Sequence, residues 1–195
     1  MPPPHLCDAP VPATPAWNVR TLLPLVLVAI AAGCGSGPAA PVLRDSPVYR
    51  SATEGFRCRV PDGWSQTANS ALPSGNLPRD IILARSRVQS PEGGASLQVL
   101  ARNDLPTGEL EAYAKQPAFG VADWQIAEPL SSVTIGGEPA DRIVCAGKLG
   151  GKTMLKPVTC FHRRGRLYAF VGLYWQTDPT VRQQVERAVE SIIWD

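Results

Sequence analysis

From about Tyr49 to the C-terminus, apolar and polar positions alternate in short runs punctuated by glycine and proline, the pattern of strands joined by tight turns. Phe56-Arg57-Cys58-Arg59-Val60 alternates and stops at the turn signal Pro61-Asp62-Gly63. Asp80 to Val88 and Ala95 to Ala101 flank Ser90-Pro91-Glu92-Gly93-Gly94, a hairpin in sequence terms. Trp124 to Ile135 is turned by Gly136-Gly137 into Ala140 to Ala146, and Gly150-Gly151 marks the next loop. Lys156 to Arg163 then turns at Gly165 into Arg166 to Trp175.

Two stretches change period. Thr107 to Gln116 puts Leu110, Tyr113 and Ala114 on one side of a helix that Pro117 ends. The last stretch is better marked: Asp178 suits the N-cap, and Pro179 the first helical position. Val181, Val185, Ala188, Val189 and Ile192 recur at helical spacing, with Arg182, Gln183, Glu186, Arg187 and Glu190 on the other side. Short turns between strands imply an antiparallel sheet, and two amphipathic helices must cover it. The fold class is α+β.

Composition divides the chain in two. Its 195 residues are 44% hydrophobic and 18% charged, which is globular, but many of the 20 prolines crowd the head. Net charge is +2, too weak to argue for nucleic acid. Within the head, Thr21 to Ala32 (TLLPLVLVAIAA) follows Arg20 and leads into Gly33 and Cys34. The run is too short to cross ~30 Å of hydrocarbon, which takes roughly 20 residues, but it matches a secretory signal.

Ala31-Ala32-Gly33-Cys34 resembles the lipobox of bacterial lipoproteins. The resemblance implies cleavage between Gly33 and Cys34 and a diacylglyceryl group on the Cys34 thiol. Ala31 replaces the commoner leucine. A buried helix ending at Gly33, or a plain secretory signal with Cys34 as bystander, are the alternatives. The organisation expected is a signal with an atypical leader over 1–33, a lipidated cysteine and flexible linker over 34–48, and a domain over 49–195. Gly35 is not the aspartate that retains many lipoproteins at the inner membrane. The predicted partners are the bilayer, through Cys34, and an unidentified envelope protein or ligand.

Three stretches of the domain resemble the PsbP-like fold: Gly55 to Trp64 (GFRCRVPDGW), Val133 to Ala140 (VTIGGEPA), and Arg166 to Trp175 followed by Asp178 to Trp194. That fold is shared by a photosystem II extrinsic protein, the Ran-binding Mog-type import factor and many bacterial lipoproteins. The resemblance implies an αβα sandwich around an antiparallel sheet. It implies no single activity, because no metal, Ran or photosystem site matches here residue by residue. Trp64 reads as a core plug beneath the first strand rather than a ligand platform.

Chemistry is sparse. His162 is the one histidine of the mature chain, so a hydrolase would have to use it, with a carboxylate such as Asp141. Cys145, Cys160 and His162 lack a fourth metal ligand, and the plainer reading is a strand histidine beside a structural cysteine. No phosphate-binding loop, dinucleotide fingerprint or zinc-protease motif occurs, and no cofactor is implied. A disulfide between Cys145 and Cys160 is expected if the loop between their strands centres near Lys152-Thr153, leaving Cys58 free. Arg163, Arg164 and Arg166, with Lys156 nearby, form a basic hairpin tip that either meets anionic headgroups or is an ordinary solvated turn. The leading functional expectation is a non-enzymatic, membrane-tethered binding or accessory domain. The alternatives are a His162 hydrolase and a purely structural envelope lipoprotein. A pocket lined by Tyr168, Tyr174 or Trp175 would favour ligand binding over the last.

Overall fold

The computed structural model describes residues 47–68, 72–73, 75–77 and 79–195. Gly33, Cys34, the signal over 1–33 and most of the linker over 34–48 lie outside the described residues. The described residues, 47 onward, fall within one compact unit. Its two hydrophobic clusters are built from residues between Tyr49 and Trp194.

The elements run in chain order: β1 (Val48–Ser51), β2 (Phe56–Arg59), β3 (Ser65–Ala68), β4 (Ile81–Ser90), β5 (Gly93–Asn103), α1 (Leu110–Ala114), β6 (Gln125–Ile135), β7 (Glu138–Leu149), β8 (Lys152–Arg163), β9 (Arg166–Trp175), α2 (Pro179–Glu190) and β10 (Ile193–Trp194). Among the described residues, one sheet has the order β3-β4-β5-β9-β8-β7-β6 and a smaller one the order β1-β2-β10. Every named pairing is antiparallel. The large sheet is the middle layer. One face packs on α2 and the small sheet, and the other on α1 and its flanking loops.

Strand β8 shows why its alternation is faint in the sequence. Leu155 and Phe161 enter the core under α2, while Met154, Val158 and Cys160 enter the core under α1. With both faces covered, every residue from Met154 to Phe161 is buried, and no polar face remains to mark the period. Lys156 and Pro157 fall inside this run. The β8–β9 ladder pairs Leu155 with Tyr174 and Val158 with Val171, and lapses at Lys156-Pro157 between them. Pro157 has no N–H to give there. Gly172 opposite makes room, since a Cβ at 172 would lie 2.9 Å from Pro157 Cγ and 2.7 Å from Val185 Cγ1 of α2.

Helix α2 forms as its caps foretell. The Asp178 carboxylate accepts from the Val181 N–H at 3.0 Å, and Pro179 occupies the first turn. The helix stops at Glu190, short of the Trp194 expected from the closing motif. Ser191 turns the chain by donating to the Ala188 carbonyl at 2.7 Å and accepting from the Arg59 N–H at 2.8 Å. Ile193 and Trp194 then pair with β2. Trp194 lies 5.0, 5.5 and 5.2 Å from the ring centres of Phe56, Phe161 and Tyr168, closing one end of the core. Trp64 is buried and donates its indole N–H to Gln184 of α2 at 3.0 Å, in keeping with a core plug. The helix expected over Thr107–Gln116 is shorter, a 3-10 turn at Thr107–Glu109 followed by α1.

Candidate functional site

The β7–β8 hairpin decides the fate of the expected disulfide. Gly150 and Gly151 have φ of 58° and 81°, a conformation open to glycine, and they make a turn between paired Leu149 and Lys152. The turn therefore centres two positions earlier than the expected bridge required. Cys160 faces Asp141, and Cys145 faces Lys156. The offset of four residues along a strand is roughly 13 Å, beyond a disulfide's reach. The expectation of a Cys145–Cys160 bridge is thus corrected: Cys58, Cys145 and Cys160 are free and buried. Burial pushes the Cys58 and Cys160 thiols up to about 12 and raises Cys145 as well. None is an activated nucleophile.

The three arginines of the hairpin tip are not one free patch. Arg163 lies 2.9 Å from Glu138 and covers the Trp194 ring at 4.7 Å. Arg166 lies 3.1 Å from Glu54, which also accepts from the Tyr168 hydroxyl. Arg164, with φ of 51°, sits exposed at the turn. Two of the three charges are spent on contacts within the fold.

His162 stands at the end of β8 with its side chain 30% exposed. Its Nδ1 is 2.5 Å from Asp104, and its Nε2 is 3.6 Å from Asp141. Both ring nitrogens thus face carboxylates from neighbouring segments. Among the described residues, no set of His, Cys, Asp and Glu forms a metal-binding group.

A different residue is brought to a cavity. Lys156, expected beside the basic tip, is instead 3% exposed in mid-sheet on the α1 side. It lines a cavity of about 280 Å³ whose apolar wall includes Ile82, Leu100, Phe119, Val158 and Val171. The Lys156 ammonium donates to the Gln116 carbonyl at 3.1 Å and sits 4.3 Å over the Trp124 ring. No carboxylate of the described residues pairs with it. An ammonium has three N–H donors, so one accepting oxygen leaves two unmatched. Burial lowers its pKa to about 8, and Cys145 opposes that only in part.

The acid in the same cavity is already committed. Asp80 accepts from the Tyr113 hydroxyl at 3.1 Å and lies 3.5 Å from Arg102, whose guanidinium covers the Tyr113 ring at 5.0 Å. Gln98 and Phe119 also line an adjoining groove with Leu173 and Arg87, so cavity and groove share a wall. Phe119 has φ of 58°, an unusual value for an aromatic residue. The Ala118–Val121 bridge and Gly120, with φ of 80°, hold that turn.

On the opposite face, a crevice of about 320 Å³ separates α2 from the sheet, with Val133, Ile135, Phe170 and Val189 in its walls. Its one lining arginine is paired: Arg142 lies 3.3 Å from Glu186, which Arg182 also approaches at 2.9 Å. Tyr168, Tyr174 and Trp175 line neither space.

Sequence reasoning places Lys156 on the surface and so misses the site. The signal available was a lone lysine inside Met154-Leu155-Lys156-Pro157-Val158, a run with no other polar residue.

No protein-family model matches this chain, and no curated protein matches it. Among solved structures it is similar to CyanoP, the cyanobacterial PsbP of Synechocystis sp. PCC 6803, with 14% identity and a TM-score of 0.53. That alignment covers 82% of this chain and 99% of CyanoP. LpqN of Mycobacterium tuberculosis, involved in cell envelope biogenesis, aligns at 15% identity over 80% of this chain and 98% of its own, with a TM-score of 0.48. A Pseudomonas aeruginosa protein of unknown function aligns at 14% identity over 76% and 96%, also at 0.48. At such identity the CyanoP match speaks for architecture and not for chemistry: the domain has the PsbP-like α+β fold, as the order of its sequence motifs implies.

Proposed function

We propose that this chain is an exported lipoprotein, anchored through Cys34, whose domain is a non-catalytic binding module with its ligand site in the α1-side cavity. The observation that carries the binding half is Lys156. A charge without a partner in a protein interior is costly, and this one is set in the wall of a cavity rather than within solid core. A group that weakens the fold is retained where it serves a site. The non-catalytic half rests on His162, which is held between Asp104 and Asp141 at a strand end and lines neither cavity. The membrane half rests on the lipobox.

Expression of the full chain and of Cys34→Ser, followed by fractionation and native mass spectrometry, tests the reading. The parent chain is expected in the membrane fraction and Cys34→Ser in the soluble one. The soluble form is expected to carry a small-molecule mass increment. Val171→Trp, which fills the cavity, removes that increment. A parent chain that is itself soluble sinks the anchor, and an increment indifferent to Val171→Trp sinks the cavity.

A further inference from the structure

We infer that the α1-side cavity takes a small amphipathic carboxylic acid, its carboxylate on the Lys156 ammonium and its chain along Leu100, Phe119, Val158 and Val171. This inference rests on the cavity being the ligand site and adds the class of ligand.

Charge selects the head group. The charges that count here are those of Lys156 and Asp80, which line the cavity, and of Arg102, which pairs with Asp80 without being one of the lining residues; Tyr113 also holds Asp80. The sum is one positive charge. A monoanion cancels it, and its oxygens accept the two unmatched N–H groups as charge-assisted hydrogen bonds. A neutral ligand leaves the charge uncompensated, and a cation compounds it. A phosphate dianion would leave a net negative charge beside Asp80. Among the described residues, the groups facing Lys156 offer no intramolecular substitute. Gln116 offers a neutral carbonyl, Trp124 a ring face and β9 apolar side chains, while Cys145 is held in its protonated form by burial.

Size and shape select the tail. At about 30 Å³ per water, the cavity of 280 Å³ is roughly nine waters' worth of space, fit for a medium-length chain. Its wall is largely apolar, so the chain needs no polar groups of its own. Phe119 and Gln98 stand at the boundary with the neighbouring groove, which offers a longer chain an exit over Leu173. Phe119 is in this sense a positioning residue, its ring held by an unusual backbone turn.

The test uses the mature chain with Cys34→Ser, whose domain carries its own core, and three probes below their micelle concentrations: decanoate, decanol and decyltrimethylammonium. Isothermal titration at pH 7 is expected to find decanoate at least tenfold tighter than either other probe. Lys156→Met is expected to lose at least tenfold for decanoate and to leave decanol unchanged. Wild-type affinity for decanoate is expected to fall about tenfold from pH 7 to pH 9, as Lys156 discharges around its pKa of about 8. That profile reads the proposal even if the variant folds poorly. Decanol binding as well as decanoate, or a flat pH profile, overturns the ligand class. If no probe binds while the mass increment sensitive to Val171→Trp persists, the class is wrong and the cavity still binds something. If both are missing, both readings fail.

Discussion

Replacing Lys156 with methionine should make this protein more stable, and the gain should shrink as the pH rises. The side chain is 3% exposed and, among the described residues, has one acceptor, the Gln116 carbonyl. Unfolded, a lysine keeps its proton up to about 10.5; folded, Lys156 releases it near 8. Between these values the unfolded chain binds more protons, so this group makes stability rise with pH across that window, and its full penalty stands below pH 8. A fall from 10.5 to about 8 is worth about 3 kcal/mol at about 1.4 kcal/mol per tenfold change in proton affinity. By pH 9.5 about 1 kcal/mol of that penalty is left. Methionine matches the stem of lysine and removes the charge, as in other buried ion sites where apolar replacement stabilises. At about 2–4 °C per kcal/mol for a domain of this size, Lys156→Met should melt roughly 5–10 °C above the parent at pH 7. The advantage should fall to a few degrees at pH 9.5.

The comparison must be made as a difference, because other groups pull the opposite way. Burial raises the thiols of Cys58, Cys145 and Cys160 above their ordinary value near 9. Folded, they keep protons that the unfolded chain sheds, so they erode stability as pH rises past that value. They are present in both proteins and largely cancel. Denaturant melts of both proteins at pH 7 and pH 9.5 provide the check. A variant less stable than the parent at pH 7, or an advantage equal at both pH values, would refute the assignment of Lys156 as an uncompensated buried charge.

Three further outcomes follow from the packing. Thiol titration of the denatured Cys34→Ser mature chain without reductant should count three reactive groups, Cys58, Cys145 and Cys160; a count of one would restore the bridge. Gly136→Ala should cost about 1–3 kcal/mol in thermal or chemical denaturation, since its φ is 60° and a Cβ there would meet the Ile192 carbonyl at 2.5 Å. An unchanged midpoint would mean that the α2–β10 corner yields easily. Glu54→Ala should cost about 2 kcal/mol, because Arg166 and the Tyr168 hydroxyl lose their shared acceptor, and a neutral result in the same melt would mark that contact as incidental.

What the sequence revealed, and what it concealed, divides along physical lines. The long strands and α2 were legible because glycine pairs, the Asp178 cap and an apolar stripe each announce themselves locally. Strands β1, β3 and β10 were not: β1 exposes Val48 and buries Ser51, β3 is exposed throughout, and β10 has only 2 residues, so none shows apolar positions alternating with polar ones. Gly150-Gly151 marks the hairpin of β7 and β8, whereas a Cys145–Cys160 bridge needs the turn to centre near Lys152-Thr153. An error of two in the centre of a hairpin moves each partner by four, enough to separate Cys145 from Cys160. Lys156 was hidden by a sound rule, that lysines lie outside. The rule fails where a cavity interrupts the core, and the sequence does not announce cavities.

The same residue separates the two sides of the sheet. Beneath α2, Glu186 is met by both Arg142 and Arg182, so the lining arginine of that crevice has its counter-ion within the fold. Beneath α1, Asp80 is paired with Arg102 and accepts from Tyr113, and Lys156 is left without a carboxylate among the described residues. Cys145, directly opposite Lys156, is the obvious internal candidate for a counter-ion. A thiolate there would make a buried ion pair, and Lys156 does favour that form. Burial outweighs it, and the net direction for Cys145 is upward. At neutral pH the pair is therefore a thiol beside an ammonium, and the thiol accepts hydrogen bonds only weakly. Its sulfur is also engaged elsewhere, donating to the Ala114 carbonyl at 3.6 Å. Among the described residues no negative charge completes this wall, and the cavity is a space through which one could come.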